Sequence, residues 1–188
     1  IVLTCSNILP DTSTLITDKA REVAELDNPY ILIALTPIQS IRSIQPILEH
    51  VIKKKRSLLV IGSLEEQPKS ALLANKVKGN IKVNIIDPPG FGPTKQDTIE
   101  DLALLTGATI INEQLGDDLD LIDPSVLGSA IKAVTNNKNT VLQTDVDREA
   151  LQERIEEVRK KISEETNGFF KSKLEQRLSM LSGSVGVV

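Results

Sequence analysis

Short, uninterrupted apolar runs alternate along the chain with segments that are apolar on one side only. Residues 30–35 and 58–62 are apolar without alternation, which is typical of strands covered on both faces of a parallel sheet. Between these runs, apolar residues recur at positions 38, 41, 44, 47, 48, 51 and 52. That spacing keeps them on one broad face of a helix. The pattern predicts a strand, a crossover helix and a second strand.

The same alternation continues downstream. The further predicted elements are a helix over Ser70–Val77 ended by Gly79, a half-exposed strand over Ile81–Ile85, a helix over Asp101–Leu105 closed by Gly107, and a strand over Thr109–Asn112. This succession predicts an α/β fold with a mainly parallel sheet, helices on its faces and right-handed crossovers.

The last forty residues have a different pattern. Leu151, Ile155, Val158 and Ile162 form an apolar stripe on a strongly charged helix, and Asn167-Gly168 interrupts it. Leu174, Leu178 and Leu181 then mark a second helix. The pair predicts an antiparallel helix hairpin packed against the sheet. Residues 1–188 are expected to form one domain. Since the chain starts at Ile1 and ends on an apolar run, we expect it to be a piece of a longer protein.

Composition argues against several partners. Lys plus Arg is 22 and Asp plus Glu is 26, giving a net charge of −4, and there is one Tyr, three Phe and no Trp. Nucleic-acid binding would need a basic face or stacking aromatics, so none is expected. No apolar run approaches about 18 residues, so no membrane span is expected. The single Cys5 and single His50 lack partners at metal-ligand spacing, and one cysteine fits a reducing compartment.

No motif predicts a catalytic residue, a cofactor site or a metal site. Pro88-Pro89-Gly90-Phe91-Gly92 follows a strand, where a ligand loop is possible, but it lacks a third Gly and a Lys, which favours a rigid turn. Gly116–Asp120 lacks the ligand order of an EF-hand and favours a solvated acidic loop. Lys53–Arg56 could contact nucleic acid, although cations at a helix C-terminus favour a structural role. His50 has no Cys or Ser placed to partner it in catalysis.

The order of several segments resembles one family more specifically. Pro29–Ile33, Ile41-Arg42, Pro46–Glu49 and Leu58–Ile61 resemble the apical domain of GroEL-type (group I) chaperonins. The resemblance continues through Pro89–Gly92, Asp101–Ile111, Leu174–Leu178 and Leu181–Val185. It covers nearly the whole chain and is weakest before Pro29.

The resemblance implies a domain of an ATP-driven, ring-forming folding machine, in a divergent member. Such a domain captures non-native polypeptides and the mobile loop of a lid co-chaperonin in an apolar groove between two helices, here Ile38–Lys54 and about Glu66–Lys78. ATP and Mg²⁺ would bind an equatorial domain absent from this chain, so no enzymatic activity and no cofactor are expected here. The fragment alone is expected to be a monomer.

The resemblance also implies the binding residues. The family's groove positions fall on Gln45 and Leu48 of the first helix, on Lys69, Leu73 and Ala74 of the second, and on Asn7, Asp11 and Thr12 upstream. Gln45 and Lys69 stand where the family has larger aliphatics, and the upstream trio lacks aromatics. The hinge falls on Gly183 and Ser184, where a second Gly is expected.

Two other interpretations stay open. One is a small α/β enzyme or nucleotide-binding domain with its ligand near Gly90-Phe91-Gly92. The other is a chaperonin paralogue that keeps the fold but has lost client binding, for which the polar groove positions are the best support. The resemblance implies the bacterial cytoplasm, the mitochondrial matrix or the plastid stroma.

Overall fold

The computed structural model describes residues 2–4, 24–88, 92, 94–136, 139–145 and 147–183 of the chain. Its strands are β1 (Val2–Thr4), β2 (Ala24–Asp27), β3 (Tyr30–Ala34), β4 (Leu58–Ile61), β5 (Val83–Ile86), β6 (Ile110–Ile111), β7 (Gly128–Ser129), β8 (Lys132–Thr135) and β9 (Asn139–Gln143). Its helices are α1 (Gln45–Lys53), α2 (Glu66–Val77), α3 (Thr94–Thr106), α4 (Arg148–Glu164) and α5 (Gly168–Ser182).

A mostly parallel sheet forms the centre of the molecule. Its strand order is β5-β4-β3-β6, with β7 added antiparallel to β3. Parallel crossovers are right-handed, so α1 and α2, which lead from β3 to β4 to β5, lie side by side on one face. Helix α3 returns from β5 to β6 and lies on the other face. The predicted α/β class with a mainly parallel sheet is confirmed.

The two faces of this sheet have separate apolar cores. On the first face, Leu32, Leu58 and Val60 pack under α1 and α2. On the second face, Ile31 and Ile33 pack with α3 and with residues of a further sheet. Burial on both faces explains why β3 and β4 are uninterrupted apolar runs.

The further sheet is antiparallel, with the strand order β1-β9-β8-β2, and the sequence analysis did not predict it. Its strands are three to five residues long and mostly polar or mixed. Ala133 and Leu142 supply part of the core on the second face.

Three predictions of local structure need correction. Strand β5 is buried throughout rather than half-exposed, including Asn84, because helices cover one of its faces and β2 lies near it on the other. The first helix begins at Gln45 rather than Ile38, since a 3-10 turn over Ile41–Ile44 precedes it and Pro46 occupies its first turn. The third helix is longer than predicted and starts at Thr94.

The C-terminal hairpin is confirmed, and it packs mainly on α3. Helices α4 and α5 are joined by three residues, and Met180 of α5 also packs against the core on the second face of the sheet. Leu105 of α3 joins Leu151, Ile155, Val158 and Leu181 in a third apolar cluster. The stripe that predicted the hairpin is therefore its buried side.

Candidate functional site: the surface of two parallel helices

Backbone hydrogen bonds fix the relative position of α1 and α2. The loops that follow β3 and β4 are joined by a short parallel bridge between Ile38 and Leu64. Ile38 N donates to Ser63 O at 2.9 Å, and Glu65 N donates to Ile38 O at 3.0 Å. Because both helices leave this joined region in the same direction, their N-termini lie side by side.

The apolar face of each helix anchors it to the sheet. Helix α1 is anchored by Ile47 and Val51, and by Ile44 just before it, and all three are fully buried. Helix α2 is anchored by the buried residues Pro68 and Leu72. Burying each such aliphatic side chain is worth roughly 1.5–3 kcal/mol. Further apolar residues of the two helices remain partly or fully exposed.

On α1, the predicted residues Gln45 and Leu48 lie on the side that faces α2. The opposite flank carries His50, which contacts the Tyr30 ring at a centroid distance of 5.5 Å. Leu48 is half-buried against the first core, and Gln45 is exposed, with its Nε2 donating to Glu49 Oε1 at 2.8 Å. His50 thus has an ordinary packing contact, and Leu48 keeps a solvent-facing edge.

On α2, the structure separates the predicted residues. Gln67 Oε1 accepts a hydrogen bond from Ile41 N at 3.2 Å, so the side of α2 that carries Gln67 faces α1. Ala74 follows Gln67 by seven residues, two helical turns, and shares that side.

Lys69 and Leu73 occupy the other flank of α2. Burial raises the pKa of the Asp87 carboxyl at the end of β5, and the Lys69 ammonium opposes that rise. Lys69 therefore faces β5, and Leu73, one turn later, points the same way. Both are half-buried. Gln45, Leu48 and Ala74 adjoin the space between the helices, whereas Lys69 and Leu73 lie beside it.

Two further residues belong to this surface. Ile52 on α1 is 47% exposed, and Val77 on α2 is 72% exposed. Ile52 lies one turn after Leu48, and Val77 one turn after Leu73 and Ala74. We define the helix-pair surface by its apolar members Leu48, Ile52, Leu73, Ala74 and Val77. Helical spacing from Leu48 and Leu73 was the signal that could have identified Ile52 and Val77.

Lys76 lies on the less exposed side of α2, and burial lowers its pKa to about 8. Between that value and its usual pKa near 10.5 the unfolded chain binds the proton more tightly, so stability rises with pH across this window. Solvent screening of the partly exposed ammonium reduces the gain, and we expect Lys76→Met to be more stable near neutral pH by about 1–2 kcal/mol. Urea unfolding should show this difference shrinking as the pH rises from about 8 to about 10.5. If Lys76→Met and the unmodified chain differed in stability by the same amount near neutral pH and above about pH 10.5, the assignment would be contradicted.

A second place where a ligand could bind is the carboxyl edge of the parallel sheet. In a doubly wound sheet a ligand binds where the strand order reverses, here between β3 and β6. At that point Thr36 Oγ1 accepts a hydrogen bond from Glu113 N at 2.9 Å, which bridges the two loops. The loop around Gly92 follows β5, at the edge of the parallel sheet, and Pro89–Phe91 lie outside the described residues.

The acidic segment is organised by its own backbone. Asp117 Oδ2 accepts from Asn112 N at 2.8 Å, and Asp118 Oδ1 accepts from Asp120 N at 2.9 Å. Across the described residues, no group of three or more His, Cys, Asp or Glu side chains is arranged to hold a metal ion. The basic run is partly structural, since the Arg56 guanidinium lies 3.8 Å from the centre of the Tyr30 ring and bonds Asn28.

The remaining predicted positions are near the chain ends. Asn7, Asp11, Thr12 and Ser184 lie outside the described residues. Gly183 caps α5 with φ −68° and ψ −14°, a conformation open to any residue.

Among the described helices, none combines the length and apolar character that crossing a bilayer requires. No protein-family model matches the sequence.

Proposed function

We propose that this chain is a chaperonin-type apical domain that binds non-native polypeptide segments on the helix-pair surface. The observation that carries the proposal is the exposure of Ile52 and Val77 beside half-buried Leu48 and Leu73. Exposed apolar side chains grouped on two adjacent helices are typical of a contact site. An unfolded client has no fixed shape, so such a surface binds through buried area and accepts many sequences.

The wider proposal follows the resemblance. A ring of linked copies, driven by ATP and Mg²⁺ bound elsewhere in the parent chain, would raise avidity by about a hundredfold or more over one weak surface. A lid co-chaperonin loop would compete with the client for the same residues. The fragment itself would be a non-enzymatic monomer, and the parent protein would work in the bacterial cytoplasm, the mitochondrial matrix or the plastid stroma.

The double substitution Ile52→Glu with Val77→Glu tests the proposal. We expect at least about tenfold weaker binding of a permanently unfolded, reduced and alkylated protein, because two apolar contacts are lost. Fluorescence anisotropy of the labelled client measures the affinity. Both residues are exposed, so the fold should persist, as circular dichroism will check.

A matched control lies outside the helix-pair surface. Ile131 is 50% exposed, close to the value for Ile52, and Ile131→Glu should leave client binding unchanged. Leu48→Glu and Leu73→Glu, the half-buried pair, should weaken binding further. Undiminished binding by the Ile52/Val77 variant would refute the helix-pair surface, and absence of binding by the unmodified chain would favour a paralogue that has lost its clients.

A further inference from the structure

The two ends of the helix-pair surface carry opposite charges. At the N-terminal end, Glu65 and Glu66 begin α2 and are exposed. The acidic segment after β6 lies at the same end, because Ser43 Oγ, just before α1, donates to Asp120 Oδ1 at 3.0 Å. Asp118 and Asp120 are exposed. Two cations, Arg42 and Lys69, lie at this end, and Lys69 Nζ lies 3.8 Å from Glu66 Oε1. Carboxylates therefore outnumber cations there.

The C-terminal end is basic. Exposed ammonium groups follow both helices, on Lys53, Lys54, Lys55, Lys78 and Lys82. Within the part of the chain that the structure describes, none of the five pairs with a carboxylate. These charges are therefore available to a bound segment.

Each helix favours this arrangement individually, since acids stabilise a helix N-terminus and cations its C-terminus. The fold adds a second effect. Helices α1 and α2 are parallel neighbours, so their like-charged ends coincide and the whole surface becomes polarised. The apolar strip between the ends has the length of nine to twelve helical residues, about 14–18 Å. That length exceeds the screening length of about 10 Å at 0.1 M salt, so the two ends act separately.

We infer that the helix-pair surface selects client segments whose charges are segregated, with basic residues at one end, apolar residues in the middle and acidic residues at the other. The basic end of the segment contacts Glu65, Glu66, Asp118 and Asp120. The acidic end contacts the lysines that follow α1 and α2. This inference rests on the proposed function and names the class of polypeptide that binds best.

Two labelled peptides of about 12 residues, long enough to span the strip, test the inference. Both have the same composition and a central apolar block. One has lysines at one end and glutamates at the other, and the second has both residue types mixed at each end. We expect the segregated peptide to bind roughly three- to tenfold tighter at low salt, since exposed ion pairs are individually weak and several form together. The difference should disappear near 1 M salt.

Variants that neutralise lysines test whether the basic end causes the preference for the segregated peptide. The triple variant Lys53→Gln, Lys55→Asn, Lys78→Gln should lower the preference for the segregated peptide and change binding of the mixed one little. Asn suits position 55, where φ is +53°. The control Arg148→Gln, Lys160→Gln, Lys171→Gln removes the same charge from exposed positions of the hairpin and should keep the preference.

The outcomes separate the two proposals. Equal affinity for both peptides would refute charge selection and leave the proposed function intact. Failure of both peptides and of the unfolded protein to bind would refute the proposed function itself. A preference that survives in the Lys53 triple variant would also contradict the assignment of the basic end.

Discussion

Replacing Asp101 by alanine is expected to destabilise the chain by about 3 kcal/mol, the lower end for breaking a buried ion pair, because the buried Arg177 keeps only the longer contact of its Nη1 with Asp97 Oδ2 at 3.5 Å. Asp101 on α3 is fully buried and Arg177 on α5 is 6% exposed. Arg177 Nε donates to Asp101 Oδ2, Arg177 Nη2 donates to Oδ1 at 3.0 Å, and Arg154 Nη1 of α4 donates to Oδ1 at 3.1 Å. Urea unfolding followed by circular dichroism measures the loss.

The ion pair between Asp101 and Arg177 need not increase the net stability of the fold. Burial raises the pKa of the Asp101 carboxyl, and the hydrogen bond and charge of Arg177 only partly oppose that rise. The raised pKa means that ionising Asp101 costs stability as pH rises through its folded pKa. The Asp101 carboxylate instead fixes the position of the hairpin. It bonds Arg154 of α4 and Arg177 of α5, and it therefore holds both helices against α3.

A double variant tests whether the ion pair stabilises the fold or only positions the hairpin. Asp101→Leu with Arg177→Met replaces the buried pair by apolar groups, and such exchanges are often close to neutral. We expect it to recover most of the stability lost in Asp101→Ala. A loss in the double variant as large as in Asp101→Ala would show that the ion pair itself stabilises the fold.

Gly128→Ala is the second substitution with a large expected effect, about 3 kcal/mol of destabilisation, at the upper end for overpacking. A Cβ at position 128 would lie 2.5 Å from Thr106 O and 2.6 Å from Ala108 N. Both are backbone atoms of the connection between α3 and β6, so no side chain can rotate away. Since Gly128 also pairs with Ile31 at the centre of the parallel sheet, relief requires moving a strand. Thermal or urea unfolding measures the change.

Gly168→Ala is the matched control. Gly168 begins α5, and a Cβ there would meet nothing within 4 Å. Alanine has the higher helix propensity, so this variant should be neutral or more stable by up to about 1 kcal/mol. Similar losses in both variants would show that the contacts of Gly128 are not the cause.

Much of the parallel half of the fold could be predicted because burial dictates its sequence. Strands β3 and β4 lie between two cores and must be apolar at every position, and the helices between strands need one apolar face. The antiparallel sheet could not be predicted in the same way. Strand β8 reads Lys-Ala-Val-Thr, and only its pairing with β2 and β9 makes Ala133 a core residue.

The candidate site was predicted less completely, because a helix has several flanks and the sequence does not say which one faces a neighbour. Leu73 and Ala74 are adjacent in the chain, yet one points toward β5 and the other toward α1. Val77 follows the buried Leu72 by five residues, about 140° around the helix, and it is therefore 72% exposed. The prediction for strand β5 was wrong in the opposite sense. It placed the polar Asn84 on an exposed face, whereas β2 packs near β5 and Asn84 is buried.

The bridge between Ile38 and Leu64 has a consequence for engineering. Its main-chain hydrogen bonds hold the two helix starts together, and the exposed side chains farther along take no part in them, so those side chains can be exchanged without altering the scaffold. Positions 45, 52, 74 and 77 could be randomised together in a display library. Such a library would yield binders of new specificity on an unchanged frame.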